Sequence, residues 1–252
     1  MEKRFIQLYS LKDEIAKDFE GVLRRVKDIG YTGVEFASGF YGNYSAADLK
    51  AFLSELGLEA LSSHITTPEI PNQIDYAAKL GLKYLIDPMY SMNTYEEALE
   101  AAAKFNEAGK LCAQAGIQFG YHNHRFEFQQ GKDGYLLETL LLNTDPGLVC
   151  FQLDVGWATC AGVDCPEFIK KYPGRFKLIH VKECNRIVGA EPSVENQAEW
   201  NVPNGKGLVD WANVRDAALA SGTKEFIVER EYDYAGDIFK CVEEDCAHLK
   251  SL

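Results

Sequence analysis

The chain has 252 residues, 46% of them hydrophobic and 25% charged, which suits one large domain with a sizeable core and requires no second domain. Its formal net charge of −12 argues against partners bound through a phosphate backbone, which need a basic face to release counterions, so nucleic acid is not an expected partner. Met-Glu-Lys-Arg runs directly into Phe5-Ile6-Gln7-Leu8-Tyr9 without an apolar leader, and no later run reaches about 18 apolar residues, so neither export nor a membrane is expected. The seven cysteines, at 112, 150, 160, 165, 184, 241 and 246, are odd in number and contain no C-x-x-C pair. They read as thiols of a reducing cytoplasm rather than as a disulfide framework or a zinc knuckle.

Taken in chain order, residues 4–9 read as a strand, 13–29 as a helix ending at Gly30, and 33–37 as a second strand. A helix over 48–56 closes at Gly57, strand 58–64 follows, helix 70–80 is capped by Gly81, and strand 83–87 stops at Pro88. A long amphipathic run, 95–115, leads through Gly116 to strand 117–122. Helix 134–143, strand 148–154, helix 164–172, strand 176–182, helix 210–220, strand 225–229 and a last helix near 236–249 complete the pattern. Glycine recurs just after these helices, the punctuation that helix C-termini favour. Eight strands, each followed by a helix, predict an α/β fold, a single (β/α)8 TIM barrel over residues 1–252.

Four of the strand ends finish on side chains able to bind metal or move protons: His122 with His124, Asp154, His180 and Glu229. Their separations, 32 residues from 122 to 154, 26 from 154 to 180 and 49 from 180 to 229, bring them to the carboxyl mouth of one barrel, where such barrels do chemistry. Carboxylate oxygens with imidazole nitrogens suit Mn²⁺, Mg²⁺, Co²⁺ or Zn²⁺ rather than a soft thiolate metal. A paired structural charge is the competing reading for each carboxylate, and only one of His122 and His124 need touch metal. Glu127 lies just beyond, in a loop from which it could swing in as an acid or base, or simply face solvent.

The motifs Tyr121-His122-Asn123-His124-Arg125-Phe126-Glu127-Phe128, Gln152-Leu153-Asp154-Val155-Gly156-Trp157-Ala158, Ile179-His180-Val181-Lys182-Glu183 and Val228-Glu229 resemble the sugar phosphate isomerase/epimerase family, the xylose-isomerase-like barrels. Gln7-Leu8-Tyr9-Ser10, Gly33-Val34-Glu35-Phe36 and Ser62-Ser63-His64 extend the resemblance over essentially the whole chain. The resemblance implies a divalent metal held by His122, Asp154, His180 and Glu229, with Glu229 acting also as a base. Two departures stand out. Many members carry glutamate where this chain has His122, and many carry histidine where it has Trp157, whose flat apolar wall suits a sugar face but equally suits packing.

The chemistry expected is proton removal next to the carbonyl of a small keto sugar or polyol, with Glu229 on one face and His122, His124 or Glu127 on the other. Glu35 and His64 are expected to bind substrate hydroxyls, Lys182 to steady an oxyanion, and Glu231, alternating with Glu229, to share the mouth while Arg230 points outward. An isomerase or epimerase is the leading reading. A dehydratase or lyase working by β-elimination, and a metal-free sugar-binding or accessory barrel, are the alternatives; association into a homo-oligomer stays open. No Gly-rich phosphate cradle precedes the last helices, so a neutral sugar is expected. The irregular stretch from Glu183 to Val209, with Pro192, Trp200 and Asn204-Gly205-Lys206-Gly207, is expected to close over substrate.

Overall fold

The structure, a computed structural model, describes residues 1–132, 134–190, 199–231 and 236–252. Strands β1 (Phe5–Gln7), β2 (Gly33–Phe36), β3 (Glu59–His64), β4 (Tyr84–Asp87), β5 (Gln118–His122), β6 (Val149–Asp154), β7 (Phe176–Val181) and β8 (Glu225–Val228) pair in parallel in sequence order, and β8 returns to β1 to close the barrel. The helices are α1 (Lys12–Ile15), α2 (Phe19–Ile29), α3 (Ala46–Leu56), α4 (Ile70–Leu80), α5 (Tyr95–Gln114), α6 (Leu136–Asn143), α7 (Val155–Cys160), α8 (Cys165–Lys171), α9 (Trp211–Ala220) and α10 (Ile238–Ser251).

The predicted elements appear with ends shifted by a few residues, with two exceptions. The first predicted helix is divided: a 3-10 turn over Leu8–Leu11 and the short α1 precede α2, which starts afresh where the Asp18 carboxylate caps the Gly21 amide at 2.9 Å. An extra helix, α7, begins directly at the end of β6, because Asp154 is at once the last strand residue and the helix N-cap, accepting from Trp157 N at 2.8 Å. Gly156 lets α7 lie close against the chain after β7; a Cβ there would stand 2.7 Å from Lys182 Cγ.

Inward-facing residues change character with height, as the period of two along each strand dictates. Phe5, Leu61, Ile86, Cys150, Leu178 and Ile227 form an apolar plug inside the barrel. Two residues further on, Gln7, Gln152, His180 and Glu229 replace Phe5, Cys150, Leu178 and Ile227, and one more step brings Asp154, Lys182 and Glu231. The larger apolar core lies between strands and helices, so the polar column is boxed in on all sides by packed hydrocarbon. Arg230 points outward as expected and grips Asp245 of α10 through Nε at 2.8 Å and Nη2 at 3.0 Å, which fixes the backbone between Glu229 and Glu231.

The stretch after β7 is pinned at its described parts. The buried Glu183 carboxylate accepts from the Gly205 and Val209 amides and from Trp211 Nε1, and Cys184 pairs with Asn201. Trp200 is fully buried, edge-on to Trp157 and beneath the Arg125 guanidinium. It is thus part of the packing behind the mouth and offers no free face to a substrate. Pro192 lies outside the described residues. All seven cysteines are buried and unbridged, and no described helix is long and apolar enough to cross a membrane.

Candidate functional site

The strand ends of β5 to β8 bring His122, Asp154, His180 and Glu229 together, with one donor atom from each lying within 4.8 Å of the others. Asp154 divides its duties between its two oxygens. Oδ1 caps α7, while the buried Oδ2 accepts no hydrogen bond and lies 3.9 Å from both His122 Nε2 and His180 Nδ1. The positive charge that a buried carboxylate oxygen requires is met there by the Lys182 ammonium, 3.3 Å from Oδ2. Two carboxylates and two imidazoles fit a borderline or hard divalent cation, so the residues present suit such an ion.

A layer of hydrogen bonds below the quartet sets the tautomers. Gln152 donates through Nε2 to Glu35 Oε2 at 2.8 Å, so its Oε1 is the acceptor, 2.9 Å from both His122 Nδ1 and His64 Nε2. His122 therefore carries its proton on Nδ1, and its Nε2 lone pair is turned toward Asp154. His180 Nε2 stands 2.7 Å from Glu35 Oε1 and its Nδ1 stands 3.0 Å from Glu229 Oε2. Glu35 also accepts from Gln7 and Ser62, so this carboxylate is satisfied on every side.

The electrostatics are those of a buried, strongly coupled cluster. Burial alone would lower the His180 pKa, but Glu35 and Glu229 outweigh it and lift it to about 10. Burial lowers the His122 pKa, and the neighbouring histidines push it down further, well below the usual range. Burial raises the Asp154 carboxyl to about 6 against the pull of Lys182 and His180. Glu229 goes the other way: burial disfavours its charge, yet Lys182 and His180 hold it well below the ordinary carboxylate range. Lys182 Nζ lies 2.6 Å from Glu231, 3.0 Å from Glu229 and 3.3 Å from Asp154, and 4.9 Å above the Trp157 ring.

Above the quartet opens a cavity of about 210 Å³ lined by Tyr9, Ala37, Ser38, Pro88 and Met89 together with His64, His122, His124, Glu229 and Glu231. His124 Nδ1 is buried without a hydrogen-bond partner, and burial, aided by Lys182, lowers its pKa to about 3, leaving a neutral imidazole.

Three sequence expectations are corrected in position. Glu35 does not meet the cavity, being wholly buried beneath His180. Trp157 presents no open wall, because Lys182 covers one side and Trp200 backs it. Glu127 neither swings nor faces solvent: Tyr121 OH donates to it at 2.5 Å and the His124 amide at 2.9 Å, and burial raises its carboxyl to about 8. Gln7 and Gln152 were given no role from sequence. Their signal was a polar residue on an apolar strand, in phase with Asp154 in the case of Gln152.

Comparison with known proteins agrees with this fold. The inosose dehydratase of Halalkalibacterium halodurans is 29% identical over 153 residues, 57% of this chain and 50% of that one, so the chain spans half the length of this curated relative. A sugar phosphate isomerase/epimerase from Parabacteroides distasonis, known from its crystal structure, is 28% identical, covers all of this chain and 99% of its own, and superposes with a TM-score of 0.83. The IolI protein, whose crystal structure holds a zinc atom, has the same fold at 13% identity and a TM-score of 0.77, covering 99% of this chain and 97% of its own. The family model for the xylose isomerase-like TIM barrel matches residues 23–252, and with a closed eightfold barrel whose polar column rises to its carboxyl mouth, the chain belongs to that family.

Proposed function

We propose that the chain is a divalent-metal-dependent enzyme that removes the proton next to the carbonyl of a small keto sugar or keto polyol and returns it to give an isomer or epimer. The observation that carries this reading is the quartet His122, Asp154, His180 and Glu229, whose four donor atoms converge. A cation held there would supply Lewis acidity to a carbonyl oxygen. Every other part is played by the chain. Glu229, ionised and facing the cavity, takes the proton from one face of the sugar. His124, neutral and with Nδ1 unpaired, stands at the same cavity as the group that exchanges a proton on another face. Lys182 holds Glu229 in its charged form and Glu231 at the rim. His64, hydrogen-bonded to Gln152, offers its exposed edge to a sugar hydroxyl.

A dehydratase is the second reading, favoured by the name of the curated relative. It shares the ligands and the first proton transfer, and differs in that a β-hydroxyl is protonated and leaves as water, forming a carbon–carbon double bond in place of the proton's return to carbon. NMR of keto sugars and inososes in D₂O, with the metal-loaded protein, tests both. Deuterium entering at one carbon adjacent to the carbonyl is expected, with an unsaturated product marking elimination. A product that keeps its original hydrogen on the carbon next to the carbonyl, with no solvent label, would rule out both.

A further inference from the structure

A second hollow adjoins the cavity above the quartet. Tyr9, Ala37 and Ser38 also line this hollow of about 250 Å³, completed by Leu8, Lys12, Ile15, Ala16 and Phe40. The two hollows differ in chemistry. The first is walled by imidazoles and carboxylates, the second by aliphatic and aromatic carbon with Lys12 as its single charged side chain. Lys12 Nζ donates to the Tyr9 hydroxyl at 3.0 Å and sits 4.2 Å from its ring centroid. Phe40 is 44% and Tyr9 37% exposed, two large apolar side chains left open at one hollow, and Phe40 is braced edge-on by Phe19. Ser38, at the seam, has φ of 51°, a left-handed conformation that is unfavourable for a residue with a Cβ and that recurs at ligand clamps.

Size decides what the pair of hollows suits. The polar cavity alone falls short of the roughly 300–1,000 Å³ that small-molecule sites usually offer, whereas cavity and annex together reach it. A free sugar would leave the apolar annex wet and unused. A phosphate placed there would meet a single cation, Lys12, in a wall that is otherwise mostly apolar carbon. We infer that the annex is a subsite for the apolar, aromatic aglycone of a keto glycoside, whose sugar ring occupies the polar cavity while its aglycone lies between Tyr9 and Phe40; plain glucosides serve as unreactive binding probes. This inference rests on the sugar reading of the polar cavity made above.

Binding of three probes by calorimetry and saturation-transfer NMR tests it: 4-nitrophenol, methyl D-glucopyranoside and 4-nitrophenyl D-glucopyranoside, each glucoside as both anomers. Ala16→Trp fills the annex from an exposed position, and Phe40→Ser removes one wall without entering the core. On the unaltered chain the nitrophenyl glucoside of one anomer should bind about tenfold or more tighter than its methyl counterpart, the gain expected for burying an aromatic ring. Both variants should bring that ratio close to one. If nitrophenol binds, loses its binding in Ala16→Trp, and neither glucoside binds better than it does, the annex stands and the sugar reading falls. If the methyl glucoside binds and the nitrophenyl group adds nothing, the annex falls and the sugar reading survives. Absence of nitrophenol binding together with no aryl preference, or an aryl preference that persists in both variants, also overturns the proposal. So does a change of sedimentation coefficient in Ala16→Trp, which would mean that a second copy of the chain covers the hollow.

Discussion

Glu35 Oε1 lies 2.7 Å from His180 Nε2, joining the end of β2 to the end of β7 across the barrel interior. The carboxylate fixes which imidazole nitrogen keeps its proton, so that Nδ1 is turned toward Glu229 and Asp154. A glutamine at this place would keep the shape and lose the charge. Glu35→Gln is therefore expected to weaken divalent-metal affinity about 10–100-fold, the usual cost of losing a partner behind a ligand. Equal affinity of variant and parent by titration with Mn²⁺ or Zn²⁺ would remove Glu35 from this role.

One divalent ion per chain is expected on purification or reconstitution, and Asp154→Ala and His180→Ala should each abolish stoichiometric uptake. Elemental analysis checks this directly. Retention of a full equivalent of metal by either variant would refute the quartet.

The protonation of His180 gives the ion a pH dependence. In the metal-free protein its pKa is raised to about 10, so at neutral pH a cation must displace a proton from it. Affinity should climb with pH until about 10, and calorimetry in buffers of different ionisation heat should reveal proton release on binding. The same shift stabilises the metal-free fold: because the folded pKa lies above the unfolded value near 6.5, the contribution is complete below that value and is lost as pH rises through about 10. Uptake without proton release would contradict the arrangement.

His124→Gln should lower turnover about 10²–10⁴-fold, the range for losing an acid or base, with metal content unaltered because no ligand is touched. A variant with parental kcat would leave Glu229 as the sole proton-transfer group.

Two stability variants check the packing around the mouth. Removing the carboxylate from the buried Arg230–Asp245 pair by Asp245→Ala takes two charge-assisted hydrogen bonds from the guanidinium and should cost about 3–5 kcal/mol. Trp200→Ala should cost about 3–5 kcal/mol through the void it leaves, since the indole is wholly buried. Denaturant melts measure both; a Trp200 variant of parental stability would return the side chain to the role of a mobile cover.

Much of the barrel was legible because apolar strands alternate with amphipathic helices that stop at glycines such as Gly30, Gly57 and Gly81, all of which do cap helices. The quartet was legible for the same reason, since strand ends meet once a barrel closes. What escaped depended on contacts between distant strands. Glu35 reads as a mouth residue until the barrel is closed around it, and then sits below His180, 145 residues away. Helix α7 escaped because its cap, Asp154, already had a reading as the end of β6. Trp200 was read as a cover because its loop lacks periodicity, yet an aromatic ring in an irregular segment finds its cheapest place against another, here Trp157.

The hollow beside the mouth is built by segments that follow β1 and β2, whereas the quartet comes from β5 to β8. The chain thus divides its labour by halves of the barrel. The walls made by residues 8–16 and 37–40 can change shape through insertion or substitution without disturbing a single donor of the quartet. Variation in what such a barrel accepts would then concentrate in its first quarter, away from the donors of the quartet.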